Sequence, residues 1–149
     1  MTADDPMTAA EMRVVREYLG LTTRWLADHL QVAERTVHRW ENAQSPIPDG
    51  VRVAIELLEQ ATARHVSAAV AACNDAGDPA LATYRTDQDY RRHHPEQPWP
   101  AGWHRAVCAR VAQEVPGLAI DYWASAADAD EQPAARPLAP ARVDNLLDE

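Results

Sequence analysis

Between Leu21 and Gln44 the chain reads LTTRWLADHLQVAERTVHRWENAQ, and the apolar positions of this stretch leave few ways to fold it. Leu26, Ala27 and Leu30 recur at the three- and four-residue spacing that collects side chains on one helix face. After a short connection at Gln31-Val32-Ala33, Val37 and Trp40 resume it. Thr22 or Thr23 can cap the first of these helices, because a threonine hydroxyl accepts from amides that have no intrahelical partner. Ala27 is small where the two helices must cross, and a larger side chain there would hold them apart. The second helix, from about Ala33 to Asn42, carries Glu34, Arg35, Thr36, His38 and Arg39 on its outer face. Arg35 and Arg39 stand four residues apart and share a side. A plain solvated face is the competing explanation for this set.

The flanking sequence builds around that pair. Residues 1–7 form a loose leader, and Thr8-Ala-Ala-Glu11 fits a capping box in which hydroxyl and carboxylate serve free amides reciprocally. The helix it opens turns Met12, Val15 and Leu19 inward, and Gly20 closes it in a left-handed conformation. Pro48 and Asp49 suit the start of a long helix reaching about Ala76, with Val51, Ile55, Leu58, Ala69 and Ala72 along one face. Asn74, Asp75, Gly77 and Pro79 stop it. Leu81–Arg85 reads as a short strand, Thr86–Tyr90 as a capped helical turn, and Gly102–Glu114 as a helix set by Val107, Arg110, Val111 and Glu114. Leu118–Trp123 alternates as a second strand.

Composition narrows the function classes. With 149 residues, 46% of them apolar and 25% charged, the chain can form one ordinary domain or two small ones. No apolar run is long enough for a membrane span and nothing resembles a signal peptide, so the expected location is the cytoplasm. Cys73 and Cys108 are too few for a disulfide scaffold and read as buried free thiols. The net charge of -9 argues against a nucleic-acid partner only if charge is evenly spread. It is not: beyond Ala124 six acids face only Arg136 and Arg142, in a proline- and alanine-rich stretch expected to be a disordered acidic tail over 124–149. All the basic residues other than histidine are arginine.

Other constellations are weaker. His104 and Cys108, four apart, together with His93 and His94, could suggest a metal site. No second close pair supports one, so surface histidines and a core thiol are expected, with no metal and no cofactor. His65, near the apolar stripe of the long helix, is expected to be partly buried and hydrogen-bonded. Trp99, Trp103, Trp123, Tyr84, Tyr90 and Tyr122 could stack on single-stranded bases but more often fill a small core or an interface. Nothing marks a phosphate loop, a nucleophile or a catalytic acid pair, and no small-molecule ligand is expected. An enzyme is the weakest reading.

The quoted stretch resembles the helix-turn-helix of the phage repressor and Cro class, whose members often read LTQxELAxxLGVSxxTISRWExG. Leu21, Thr22, Leu26, Ala27, Leu30, Val32, Thr36, Val37, Arg39, Trp40 and Glu41 match, while Gln31 stands at the usual turn glycine. The order RWENAQSPIPDGV, a long helix, ATYRTDQDY and GWHRAVCARV is similar to the YdiL-like regulators, which include anti-CRISPR-associated repressors. That resemblance implies that Glu34, Arg35, Thr36, His38 and Arg39 enter a major groove and contact bases, Thr36 and His38 reaching either bases or backbone. Thr22, Thr23, Arg24 and Asn42 fall at phosphate positions, and Arg16 and Glu41 at those of a structural ion pair.

The expected fold is therefore mostly α, with about five helices. An N-terminal helix-turn-helix bundle (1–50) is followed by a long linking helix and a small α+β dimerisation part with two short strands (51–123). The expected function is a dimeric, sequence-specific repressor of double-stranded DNA, acting on an inverted repeat, most simply at its own promoter. The alternative is an RNA- or protein-binding regulator, such as an antitoxin, using the same front unit.

Overall fold

A computed structural model of the chain describes residues 6–124. The acidic-tail expectation lies, apart from Ala124, outside them. Among the described residues six helices and two strands follow in the order α1 (Ala9–Tyr18), α2 (Thr23–Leu30), α3 (Glu34–Glu41), α4 (Asp49–Asp75), β1 (Ala80–Thr83), α5 (Asp87–His93), α6 (Ala101–Glu114) and β2 (Ala119–Tyr122). The fold is mostly helical with a minor strand pair, and the helix beyond the expected five is α5, the capped turn extended to His93. The chain divides into two compact units, the first ending at Thr62 and the second beginning at Ala63.

In the first unit α3 packs against both α1 and α2. Met12, Leu19, Leu26, Ala27, Val37 and Trp40 are buried between them, whereas Val15 and Leu30 are half-buried. All three helices end the same way. The amides of Leu21, Val32 and Gln44 reach back to the carbonyls of Arg16, Ala27 and Arg39 at 3.1, 3.0 and 2.8 Å. Such closures need a left-handed residue just before the returning amide. Gly20 (φ 70°), Gln31 (φ 58°) and Ala43 (φ 57°) occupy those places. Glycine adopts this conformation freely, but a residue with a Cβ gives up roughly 1 kcal/mol to do so, which the recovered carbonyl bonds offset.

Two details at the N-terminus differ from expectation. Met7 is buried rather than part of a loose leader. It directly precedes the cap Thr8, the position from which an apolar side chain staples onto the fourth helical residue, here Met12. The capping box is only half formed. Thr8 Oγ1 accepts from the Glu11 amide at 3.1 Å, but Glu11 Oε2 takes the guanidinium of buried Arg52, also at 3.1 Å. A charge-assisted bond from α4 is the stronger partner for that carboxylate.

In the second unit β1 and β2 pair in parallel, in register from Ala80↔Ala119 to Thr83↔Tyr122. Parallel pairing follows from the crossover through α5 and α6. Tyr84 and Tyr90 stack with ring centroids 4.8 Å apart, fully buried with Ala101, and Trp99 and Trp123 pack on them. These aromatics do serve as core. Asp87 Oδ1 accepts the first amide of α6, from Ala101, at 2.7 Å, placing a carboxylate on the positive end of that helix.

Candidate functional site

The helix pair read from the sequence begins at Thr22, whose Oγ1 accepts from the Trp25 amide at 3.0 Å and caps α2. Thr22 is therefore the cap, and Thr23 is the first helical residue. Gln31 makes the left-handed turn, and Ala33, which offers no side-chain cap, leads into α3. Val37 and Trp40 bury the inner side of α3. Glu34, Arg35, His38, Arg39 and Asn42 are exposed on its other side, and Thr36 is half-buried at its margin.

The C-terminal end of α3 is held from behind. Arg16 of α1 donates Nε to Glu41 Oε2 at 2.7 Å and Nη2 to Glu41 Oε1 at 2.9 Å, with Nη1 on the Leu21 carbonyl at 2.9 Å. One guanidinium thus ties together α1, the chain entering α2, and α3. The side chains of Arg16 and Glu41 are only 12% and 6% exposed. The hydrogen bonds with Glu41 raise the Arg16 pKa above its ordinary value, against the opposing pull of burial.

The N-terminal end of α3 has its own tie. Thr23 Oγ1 donates to Glu34 Oε1 at 3.0 Å, and His38 Nε2 lies 3.6 Å from the same oxygen. Glu34 and Thr23, expected at a base and a phosphate, are thus joined to each other here. Arg24, Arg35 and Arg39 have no hydrogen-bond or ion-pair partner among the described residues. Two packed helices thus carry three exposed guanidinium groups in a chain of net negative charge.

The second unit corrects two histidine readings. His104 is not at the surface but fully buried, its Nδ1 2.8 Å from Thr83 Oγ1 and 3.7 Å from Cys108 Sγ. Burial lowers its pKa to about 3, with His94 and Arg105 adding repulsion. His65 is buried with Nδ1 lacking a hydrogen bond among the described residues, because its neighbours are indole rings: Trp103 and Trp99 lie edge-on at 5.2 and 6.3 Å. Its pKa falls to about 4, chiefly through burial and then through Arg64. Among the described residues no group of three histidine, cysteine or acidic side chains is arranged to hold a metal ion. Cys73 and Cys108 are both buried free thiols.

These two rings set an acid response. Both are neutral when folded, whereas in the unfolded chain each takes up a proton near its ordinary value of 6.5. Below that pH the unfolded state binds protons that the folded state refuses, so stability falls as pH falls, until the folded values are reached. Each ring contributes about 1.4 kcal/mol per pH unit in that window. Urea titrations between about pH 7 and about pH 5 are expected to show this loss, and His65→Leu to reduce its slope. An unchanged slope in that variant would contradict the burial of His65.

A short capped helix, a left-handed turn, and a second helix pinned by a half-buried ion pair define a helix-turn-helix, the front unit of a regulator. The chain belongs to the Aca2/YdiL-like family, which it matches over residues 7–116. That family is one of regulators rather than enzymes. None of the curated proteins matches the chain. No helix among the described residues is long and apolar enough to cross a membrane.

Proposed function

We propose that this regulator binds double-stranded DNA in a sequence-specific way, as a homodimer that represses its own promoter by covering it. The observation that carries this reading is the outer face of α3, where Arg35 and Arg39 are exposed and unneutralised while the inner face is locked by Val37, Trp40 and the Arg16–Glu41 pair. A guanidinium without an internal partner breaks no protein contact when it turns to guanine O6 and N7, and two on one side of a helix can read neighbouring base pairs.

In this reading Glu34, Arg35, Thr36, His38 and Arg39 meet bases. Thr22, Thr23, Arg24 and Asn42 set register on phosphates, and Arg16 with Glu41 holds the reading helix. Glu34 keeps Oε2 for a cytosine amino group while Oε1 stays on Thr23. Residues 1–50 are the reading head and 51–123 the linking helix and dimerisation part. A two-fold dimer sets two copies of α3 about 34 Å apart, one turn of DNA, and so favours an inverted repeat.

A gel-shift titration of the full chain on its own upstream DNA tests this. Binding is expected to be at least about a thousandfold tighter than to scrambled DNA of equal length. Affinity is expected to fall with salt at a log–log slope of about -0.9 for each phosphate contacted. Equal affinity for both DNAs would reject sequence-specific repression.

A further inference from the structure

We propose that the groove between α6 and β2 binds a small aromatic carboxylic acid, its ring against Ile120 and Tyr122 and its carboxylate on Arg105. The site lies wholly within the second unit and is independent of DNA reading. The groove follows from where α6 rests, which is on β1. Thr83 Oγ1 meets His104 of α6, and Thr83 stands in register with Tyr122. Side chains two apart on a strand share a face, so Ile120 and Tyr122 both lie on the α6 side of the sheet. They are nevertheless 40% and 42% exposed, because α6 lies over the other strand. The α6 residues that border this gap, Cys108 and Ala109, are small, and an open space of about 350 Å³ remains. That is the lower end of the range in which proteins hold small molecules. Nothing in the sequence signals it, since it depends on how a helix settles across a strand pair.

One guanidinium builds the polar end of the groove. Arg105 Nη1 donates to the carbonyls of Tyr84 and Arg85, at 2.6 and 3.0 Å. Both hydrogens of that nitrogen are then used, and the plane of the group is fixed. Nε and Nη2 have no hydrogen-bond partner among the described residues. They form the same edge through which Arg16 holds Glu41, and a carboxylate fits such an edge with two parallel bonds. A second cation stands at this end, for the Arg85 guanidinium lies 4.2 Å from the centroid of the Tyr122 ring. No acidic side chain pairs with either arginine among the described residues. Asp121 also borders the groove, but it sits between Ile120 and Tyr122 on the strand, so its side chain turns to the other face of the sheet.

An aromatic monocarboxylate is the occupant that these features select. Its ring covers apolar surface that the chain leaves in water, which is favourable in proportion to the area removed. It can also lie offset or edge-on to the Tyr122 ring, one face of which Arg85 already takes. Inorganic phosphate would match the guanidinium but leave Ile120, Cys108 and Ala109 wet. An amine would meet two cations.

The test is a titration of the full, isotope-labelled chain with cinnamate, followed by amide chemical shifts, beside cinnamamide as the uncharged analogue. Saturable binding is expected with a Kd of about 1 mM or tighter, the scale for a ligand of this size. The shifts are expected to centre on the amides of Ala109, Ile120 and Tyr122. Cinnamamide is expected to bind at least about tenfold more weakly, since it cannot accept two charge-assisted bonds. Ala109→Phe, at an exposed position, fills the groove and is expected to abolish binding. Arg105→Gln is expected to weaken cinnamate about tenfold and cinnamamide by no more than about twofold. Circular dichroism checks that both variants fold, and the comparison of acid with amide on the unsubstituted chain needs neither of them.

Equal affinity for acid and amide would overturn the ligand class and the role of Arg105. Shifts confined to the first unit would put the acid on the exposed arginines of α2 and α3 and overturn the site, as would full binding by a folded Ala109→Phe. Binding that disappears at protein concentrations where the chain self-associates would mean that a second copy fills the groove, which also overturns the proposal. The gel shift judges DNA reading separately from all of these.

Discussion

Replacing both Arg35 and Arg39 by alanine is expected to abolish the preference for operator over scrambled DNA without lowering the melting temperature of the protein. Each bidentate arginine–guanine contact discriminates by about 1–3 kcal/mol, and in a two-fold complex each substitution is felt at both half-sites. Arg35→Ala and Arg39→Ala taken singly should each relax selectivity at one base position, repeated symmetrically in the other half-site. The absence of a stability cost follows from the free protein. Both side chains are exposed and without partners among the described residues, and alanine is the better helix former. A change within about 0.5 kcal/mol is the expectation for such surface positions. If the double variant kept full operator preference, α3 would not be the reading element. If it melted substantially lower, the two arginines would be structural.

Glu41→Ala is expected to do the reverse, destabilising the first unit by about 2 kcal/mol or more, because it takes from the half-buried Arg16 guanidinium its bidentate counter-charge. What remains to Arg16 is the Leu21 carbonyl and the exposed Glu17 carboxylate at 3.9 Å, a more distant and better-solvated charge than Glu41. Replacing both partners by apolar residues, as in Arg16→Met with Glu41→Leu, should cost far less, since a buried pair often does little better than a hydrophobic pair of similar size. Urea titration of the two singles and the double gives the coupling between them directly. A loss below about 1 kcal/mol for Glu41→Ala would mean that solvent already screens the pair, as it does for exposed ion pairs. DNA binding by Glu41→Ala should weaken as well, since the helix that carries Arg35 and Arg39 loses its rear anchor.

Local chemistry was legible in the sequence and non-local chemistry mostly was not. Threonine caps, apolar spacing and the glycine at position 20 act over a few residues, so the helices from α1 to α3 could be drawn from the chain alone. Ala43 was missed because alanine gives no sign of a left-handed backbone. It takes that conformation because the returning amide of Gln44 rewards it. Arg16 and Glu41 stand 25 residues apart, and only the family resemblance linked them in advance. The front face of α3 was likewise legible as a set of side chains, but the bond from Thr23 to Glu34 depends on how α2 meets α3.

His104 shows the limit most clearly. In sequence it stands with His93, His94 and Cys108 as a weak metal set without a second close pair, which leaves a surface histidine as the expectation. Its burial depends on Thr83 arriving from β1, 21 residues earlier, to take its ring nitrogen. Buried polar groups usually are hydrogen-bonded, which is the expectation for His65 from its sequence position. The Trp99 and Trp103 rings, nearly perpendicular to it, take that place instead, and burial lowers the basicity of the ring.

The stacked indoles of Trp99 and Trp103, with centroids 4.3 Å apart and planes within 8° of parallel, have an optical consequence. Transition dipoles held so close couple, and an exciton band in near- and far-ultraviolet circular dichroism is the expected sign of this pair in the second unit. Trp25 and Trp40 lie in the first unit, where Trp25 stacks on His29 at 5.0 Å. Melting followed at that band, beside a signal dominated by α-helix, therefore reads one half of the chain against the whole without any label.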